Sequence, residues 1–226
     1  MLLYKVNNIR VSKYKGGTRL MKLNERGLLV VISGPSGVGK GTVRKALFEL
    51  EGHDLVYSTS MTTRAPRNGE VDGEDYYFVS REEFEQRIKD DKFLEYAEFV
   101  GNYYGTPRDK VDDQIEAGKE VVLEIEVQGA LQVRERAKDA VFVFIAPPNK
   151  EALYRRLLRR GTEDDKTIQR RMDKAEREFP LAHKYDYIVV NDEVTNAADR
   201  ILAIIRAEHA KTERSIYKYN EMLEVT

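Results

Sequence analysis

The feature that most constrains this chain is a short apolar run that breaks into a glycine-rich loop and then into a helix. Leu28-Leu29-Val30-Val31-Ile32 is brief, apolar and rich in β-branched side chains, the pattern of a strand buried on both faces. Gly34-Pro35-Ser36-Gly37-Val38-Gly39-Lys40 follows and fits G-x-x-x-x-G-K. From Gly39 to about Leu50 the residues Val43, Ala46, Leu47 and Leu50 recur on one helical face. The order strand, loop, helix makes an anion site. Glycines let the backbone turn tightly and converge its N–H groups, and the helix points its positive end at the same place. Lys40 can reach the outer phosphates of a bound nucleotide. A loop of this spacing arises by chance in roughly one chain in fifteen of this size, so the flanking strand and helix carry the reading.

One departure bears on metal binding. The Ser or Thr that usually follows the lysine is Gly41 here, with Thr42 next. A hydroxyl ligand is therefore missing, and Mg²⁺ is expected to rest on phosphates and waters with no direct protein ligand. Thr42 is expected either to bond a phosphate or to sit in the first helical turn.

Composition narrows the class. The chain has 226 residues, 41% hydrophobic and 34% charged, which disfavours disorder and membrane spanning. That length suits one domain with inserted lobes. There is no cysteine, so disulfides, thiolate metal sites and a cysteine nucleophile are excluded. This is compatible with the reducing cytoplasm, the expected location. A net charge of −1 gives no nucleic-acid footprint. The first twenty residues differ from the rest: Lys5, Arg10, Lys13, Lys15 and Arg19 stand there without an acid. They are expected to be a basic extension of residues 1–20 that is not native, with translation normally beginning at Met21; an ordinary basic tail is the alternative.

The remaining pattern alternates strands and helices. Strands are expected at Leu55–Ser60, Tyr76–Val79, Phe93–Val100, Val141–Ile145 and Tyr185–Val190, with another that begins Val121-Val122-Leu123 and ends in the acids Glu124 and Glu126. Helices are expected at Arg81–Asp90, Asp109–Ala117, 130–138, Lys150–Arg159 and 164–182, with one long C-terminal helix from Glu193 past Tyr219. Residues 62–75 read as a loop and Gly101–Pro107 as a turn. Buried strands alternating with helices predict an α/β fold with a central parallel sheet.

The acceptor motifs come next. Ser60-Met61-Thr62-Thr63-Arg64-Ala65-Pro66-Arg67-Asn68-Gly69-Glu70 is followed by Gly73-Glu74-Asp75-Tyr76-Tyr77-Phe78. Glu95-Tyr96-Ala97-Glu98-Phe99 and Gly101-Asn102-Tyr103-Tyr104-Gly105-Thr106 lie beyond. This succession resembles the guanylate kinase family, from about Gly27 to the C-terminal helix. The resemblance implies a three-layer P-loop fold with a core at 27–57, 119–150 and 183–226, an inserted mixed α/β GMP-binding lobe at 58–110 and a helical lid at 155–178. It implies transfer of a phosphoryl group from ATP to GMP or dGMP, with Mg²⁺, and no nucleic acid or membrane as partner. The oligomeric state stays open.

Residue roles follow from the resemblance, and the chemistry agrees with them. Arg64 and Arg67 flank a stiffening proline, and guanidinium groups bind phosphate monoesters in bidentate fashion. With Tyr76, Tyr104 and Glu70 they make the expected GMP phosphate site. Ser60, Glu95 and Thr106 are expected to read guanine, whose N1–H and N2 amine offer two donors to one carboxylate. Glu124 and Glu126 replace the aspartates common in the family and are expected to share one face by strand alternation. Glu126 is assigned to the GMP side, Glu124 to GMP or a magnesium water. Residues Gly34 to Thr42 and Asn191 are expected on the ATP side. The lid arginines Arg156, Arg160 and Arg171 join Lys40 and Arg64 as catalytic candidates. A run of basic residues is usually a solvated helix face, and an Asn-Asp pair usually a helix cap. Two rival readings are a non-catalytic phosphopeptide-binding module and a kinase for another phosphorylated acceptor.

Overall fold

The computed structural model describes residues 26–159 and 164–224, together with the backbone of two short strands nearer the N-terminus. Those strands, β1 (Lys13–Tyr14) and β2 (Gly17–Thr18), pair antiparallel. The expectation for residues 1–20 otherwise lies outside the described residues.

Five strands form the central sheet: β3 (Leu29–Ser33), β4 (Leu55–Tyr57), β9 (Glu120–Glu124), β10 (Val141–Ala146) and β11 (Tyr187–Val190). Their order is β11-β10-β3-β9-β4, and every neighbouring pair is parallel. The side chains show why the apolar runs are continuous. Leu28, Val30 and Ile32 enter one core with Val43 and Leu47 of α1 (Lys40–Glu49) and Ile201 and Ile205 of α7 (Val194–His209). Leu29 and Val31 enter a second core with Val111 and Ile115 of α3 (Arg108–Glu116) and Ala130 and Val133 of α4 (Val127–Arg136). Alternate residues of one strand thus feed opposite faces, which gives helix, sheet and helix as three layers.

A second sheet stands apart, built from β5 (Met61–Thr62), β6 (Tyr77–Phe78), β7 (Phe93–Phe99) and β8 (Asn102–Pro107) in the order β6-β5-β8-β7. It mixes parallel and antiparallel pairs. Its small core is Met61, Phe84 and Phe93, with Phe84 of α2 (Arg81–Lys89) stacked 4.3 Å from Phe93 and 5.2 Å from Tyr103. Gln132 of α4 ties this lobe to the central layers by bonding the N–H and the carbonyl of Tyr96 at 3.3 and 3.2 Å.

Four expectations are corrected. Gly101–Pro107 is not a turn; β8 occupies Asn102–Pro107, and the turn shrinks to Val100 and Gly101, both at positive φ. The strand expected over Leu55–Ser60 ends at Tyr57, and the chain then crosses to the second sheet, where Met61–Thr62 pairs with β8. The long C-terminal helix is two. α7 stops at His209 and α8 (Thr212–Leu223) begins after an extended Lys211, with the Ser215 hydroxyl donating to His209 O at 2.8 Å across the break. The 3₁₀ turn Phe179–Lys184 likewise ends α6 (Asp165–Glu178) earlier than the expected 182.

Candidate active site

The phosphate loop joins β3 to α1, and its glycines are there for space. Gly34, Gly37 and Gly39 all hold positive φ, at 149°, 90° and 92°. A Cβ on Gly34 would lie 2.3 Å from Ile145 O, and one on Gly39 would lie 2.7 Å from the Asn191 amide nitrogen. No side chain fits at either place without moving backbone or partner. Lys40 Nζ folds back to donate to Gly34 O at 2.6 Å and Pro35 O at 3.3 Å, and stands 3.7 Å from Glu126 Oε1. Burial lowers the Lys40 pKa, against the pull of Glu126 and Glu124. Ser36, Gly37, Gly39, Lys40, Gly41 and Thr42 line a cavity of about 390 Å³ together with Lys45, Glu124 and Glu126.

Glu124 and Glu126 reach that cavity by different routes. β9 ends at Glu124, so strand alternation does not place Glu126; it precedes the first turn of α4. Glu124 Oε2 accepts from Arg44 Nε at 2.8 Å, and the Arg44 guanidinium lies 4.3 Å above the Tyr57 ring. Glu126 Oε2 accepts from Lys174 Nζ at 2.7 Å. Burial opposes ionisation of Glu126, but Lys174 and Lys40 outweigh it and hold its pKa below the ordinary value.

The expected lid side chains meet the phosphate loop. Arg156 of α5 (Lys150–Leu158) donates to Val38 O at 3.0 Å and Asn191 O at 2.7 Å. Arg171 of α6 donates to Ser36 Oγ at 2.7 Å. Each helix starts on a side-chain cap: Asn149 accepts from Ala152 N–H and Asp164 from Thr167 N–H, both at 2.8 Å. Arg160 lies outside the described residues. Asn191 is buried and donates its amide to Val38 O at 2.8 Å. It does not cap a helix, since α7 begins after Glu193.

In the second sheet, Glu95 on β7 and Thr106 on β8 face each other. The Thr106 hydroxyl donates to Glu95 Oε1 at 2.6 Å, and both residues are buried. Burial raises the Glu95 pKa, and the Thr106 bonds only partly offset it. A Cβ at Gly129 would come 3.1 Å from Glu95 Oε2, so the glycine on α4 leaves room beside that oxygen. Ser60 stands where the chain crosses between sheets, its carbonyl accepting Tyr77 N–H at 2.9 Å. Arg64 donates to Glu70 Oε1 at 2.8 Å, and Glu70 Oε2 accepts the Arg67 backbone N–H at 2.7 Å. The bond from Arg64, and then that from Arg67, holds the Glu70 carboxyl below its ordinary pKa. Tyr76 and Tyr104 meet edge-on at 6.1 Å, with the Arg64 guanidinium 5.4 Å from the Tyr76 ring. Arg64, Glu70, Tyr76 and Tyr104 are therefore neighbours, as a phosphate site needs.

Sequence reasoning missed Arg44, Lys174 and Gly129. Signals existed for two of them: Arg44 follows Lys40 by four residues and Lys174 follows Arg171 by three, the spacings that share a helix face.

Known proteins resemble this chain along most of its length. The family model described as guanylate kinase matches residues 26–208. A guanylate kinase of Onion yellows phytoplasma is 62% identical over 205 residues, covering 90% of this chain and 97% of that protein. One from Bacillus subtilis is 56% identical over 203 residues, covering 90% and 100%. The crystal structure of guanylate kinase from Anaplasma phagocytophilum superposes with a TM-score of 0.66 at 37% identity, covering 89% of this chain and 97% of that one. A phosphate loop on a parallel sheet, a buried carboxylate in an inserted lobe and a match across most of the length converge on one conclusion: the chain belongs to the guanylate kinase family.

Proposed function

We propose that this chain transfers the γ-phosphoryl group of ATP to the phosphate of GMP or dGMP in the cytoplasm, releasing ADP and the nucleoside diphosphate. The observation that carries the choice of acceptor is the buried Glu95 carboxylate, with one oxygen taken by Thr106 and room beside the other at Gly129. Guanine's N1–H and N2 amine supply two donors to such a group, whereas adenine lacks the amine. A base that left this carboxylate unpaired would be rejected by as much as ~10⁴-fold.

Each side has its own task. Arg64, Arg67, Glu70, Tyr76 and Tyr104 bind and orient the acceptor phosphate, with Ser60 beside the base and Glu126 on the acceptor side. The loop from Gly34 to Thr42 cradles the donor's phosphates through backbone N–H groups, and Asn191 borders the adenine. Lys40 leaves the carbonyls of Gly34 and Pro35 for the phosphates, where its charge is stronger for being buried. Arg156, Arg160 and Arg171 bring further positive charge as the lid, residues 155–178, and the lobe, residues 58–110, close and exclude water. Transfer needs positioning and charge stabilisation more than covalent help. The acceptor phosphate is already largely ionised near neutral pH, so no general base is required.

The residues also fit a magnesium ion held through phosphates and water. Among the described residues no group of three or more His, Cys, Asp or Glu could hold a metal directly. Glu124 and Glu126 line the cavity of about 390 Å³ beside Gly41 and Thr42, which has room for a hydrated ion. When bound, Mg²⁺ neutralises phosphate charge.

A coupled ADP-release assay with ATP and Mg²⁺ tests the reading. Turnover with GMP and little with AMP, CMP or UMP is expected. A folded protein that turns over none of them contradicts it.

A further inference from the structure

We infer that Lys174 is a positioning residue for the acceptor site: it grips Glu126 from the lid side and keeps a cation on that carboxylate while Lys40 serves the donor's phosphates. The inference rests on the reading that Glu126 faces GMP.

The geometry is specific. Arg171, Lys174 and Glu178 of α6 are spaced three and four residues apart and so share one face. Arg171 reaches Ser36 of the phosphate loop. Lys174 Nζ lies 2.7 Å from Glu126 Oε2 and 3.6 Å from Glu178 Oε1. The other oxygen of Glu126 lies 3.7 Å from Lys40 Nζ. One carboxylate is thus shared between an ammonium from the phosphate loop and another from the lid helix. The two contacts are unequal, because 3.7 Å exceeds hydrogen-bond distance and 2.7 Å does not.

Lys40 cannot be the lasting anchor of Glu126. Its Nζ already donates to Gly34 O, and in turnover it goes to phosphate. Nor does the helix that Glu126 precedes hold the side chain, for it makes no capping bond to α4. Lys174 is left to orient it. Glu178 in turn steadies Lys174 from below: it is buried, and burial raises its pKa, which makes a nearby ammonium valuable to its ionised form. Lys174 and Glu126 are both about half exposed, at 46% and 54%, so their pair adds little to folding stability. Its effect belongs to binding, and that separates a positioning role from a structural one.

The test is a set of four variants, Lys174→Met, Lys174→Arg, Glu126→Gln and Glu126→Gln with Lys174→Met, each assayed for KM of GMP, KM of ATP, kcat and melting temperature. Lys174→Met is expected to raise the KM for GMP about fivefold, the upper range for a part-exposed ion pair. The KM for ATP, kcat and the melting temperature should stay near wild type, and Lys174→Arg should restore most of the GMP affinity. In the Glu126→Gln background Lys174→Met should add nothing. An unchanged KM for GMP in Lys174→Met, or a penalty that persists in full in the Glu126→Gln background, overturns the role of Lys174 alone. Glu126→Gln raising the KM for ATP while leaving that for GMP untouched overturns the acceptor-side reading, and this inference with it.

Discussion

In the proposed function, the central sheet and the inserted lobe would bind phosphate in opposite ways. The central sheet is parallel and covered on both faces, and its anion site is backbone: a loop of glycines whose side chains would collide with Ile145 O or the Asn191 amide. The lobe is a small mixed sheet with a core of three buried residues, and its site is side chains: Arg64, Glu70, Tyr76, Tyr104 and the Glu95–Thr106 pair. A backbone nest suits a ligand part that every nucleoside triphosphate shares. Side chains suit a partner that must be told from its relatives. On that proposal common chemistry sits on the central sheet, and discrimination on the lobe.

The comparison can be broken most severely at Lys40. Lys40→Met should reduce kcat by about 10²–10³-fold, as loss of a charge-stabilising donor does elsewhere, while the lobe goes on binding GMP. A rapid-quench measurement of single-turnover transfer checks the first half.

Glu95→Gln probes the lobe. It should lower kcat/KM for GMP by about 10²-fold and narrow the gap to AMP, leaving the KM for ATP in place. Acid should act similarly. Burial places the Glu95 pKa above its ordinary 4.5, so falling pH protonates it sooner than a free carboxyl and raises the KM for GMP first. The stability sign is opposite. A folded-state pKa above the unfolded one means that ionised Glu95 costs stability at neutral pH, and the cost is relieved as pH falls through the raised value toward 4.5. Glu95→Gln should therefore melt higher than wild type at pH 7, and calorimetry across pH checks it.

Phe84→Ala asks whether the lobe loosens by itself. Phe84 is fully buried between Phe93 and Tyr103, and truncation should cost about 3–5 kcal/mol. Hydrogen exchange should rise in β5 to β8 more than in β3, β9 and β10. Equal loss of protection in both sheets would show that they open together.

The smallest effect belongs to the hairpin tip. Val100 holds φ of 49°, a left-handed conformation that a β-branched residue tolerates poorly. Val100→Asn should stabilise the protein by about 0.5–1 kcal/mol, measured by urea unfolding, with kinetics unchanged.

The two regions also differed in how far the sequence revealed them. Val30 and Val31 feed opposite cores, so both must be apolar, and such a run is visible without any structure. β8 hid behind its glycines. Gly105 suggested a turn, yet it is there because a Cβ would lie 2.8 Å from Glu95 O and 3.1 Å from Phe84 Cζ. A glycine that permits close approach looks, in sequence, like one that permits a turn. The break between α7 and α8 carries no Gly or Pro and gave no warning. In the site, residue types and motif order named the charged groups but not their partners. That Glu124 meets Arg44 while Glu126 meets Lys174 depends on where β9 ends and α4 begins, a boundary two residues wide.

The division between the two regions is tested most directly by calorimetric titration of GMP into the Lys40→Met protein, without ATP. The account predicts GMP affinity within about threefold of wild type, because the lobe's ligands are untouched and Lys174 still holds Glu126. GMP binding lost together with turnover would contradict it, and would mean that the phosphate loop and the lobe form one site rather than two.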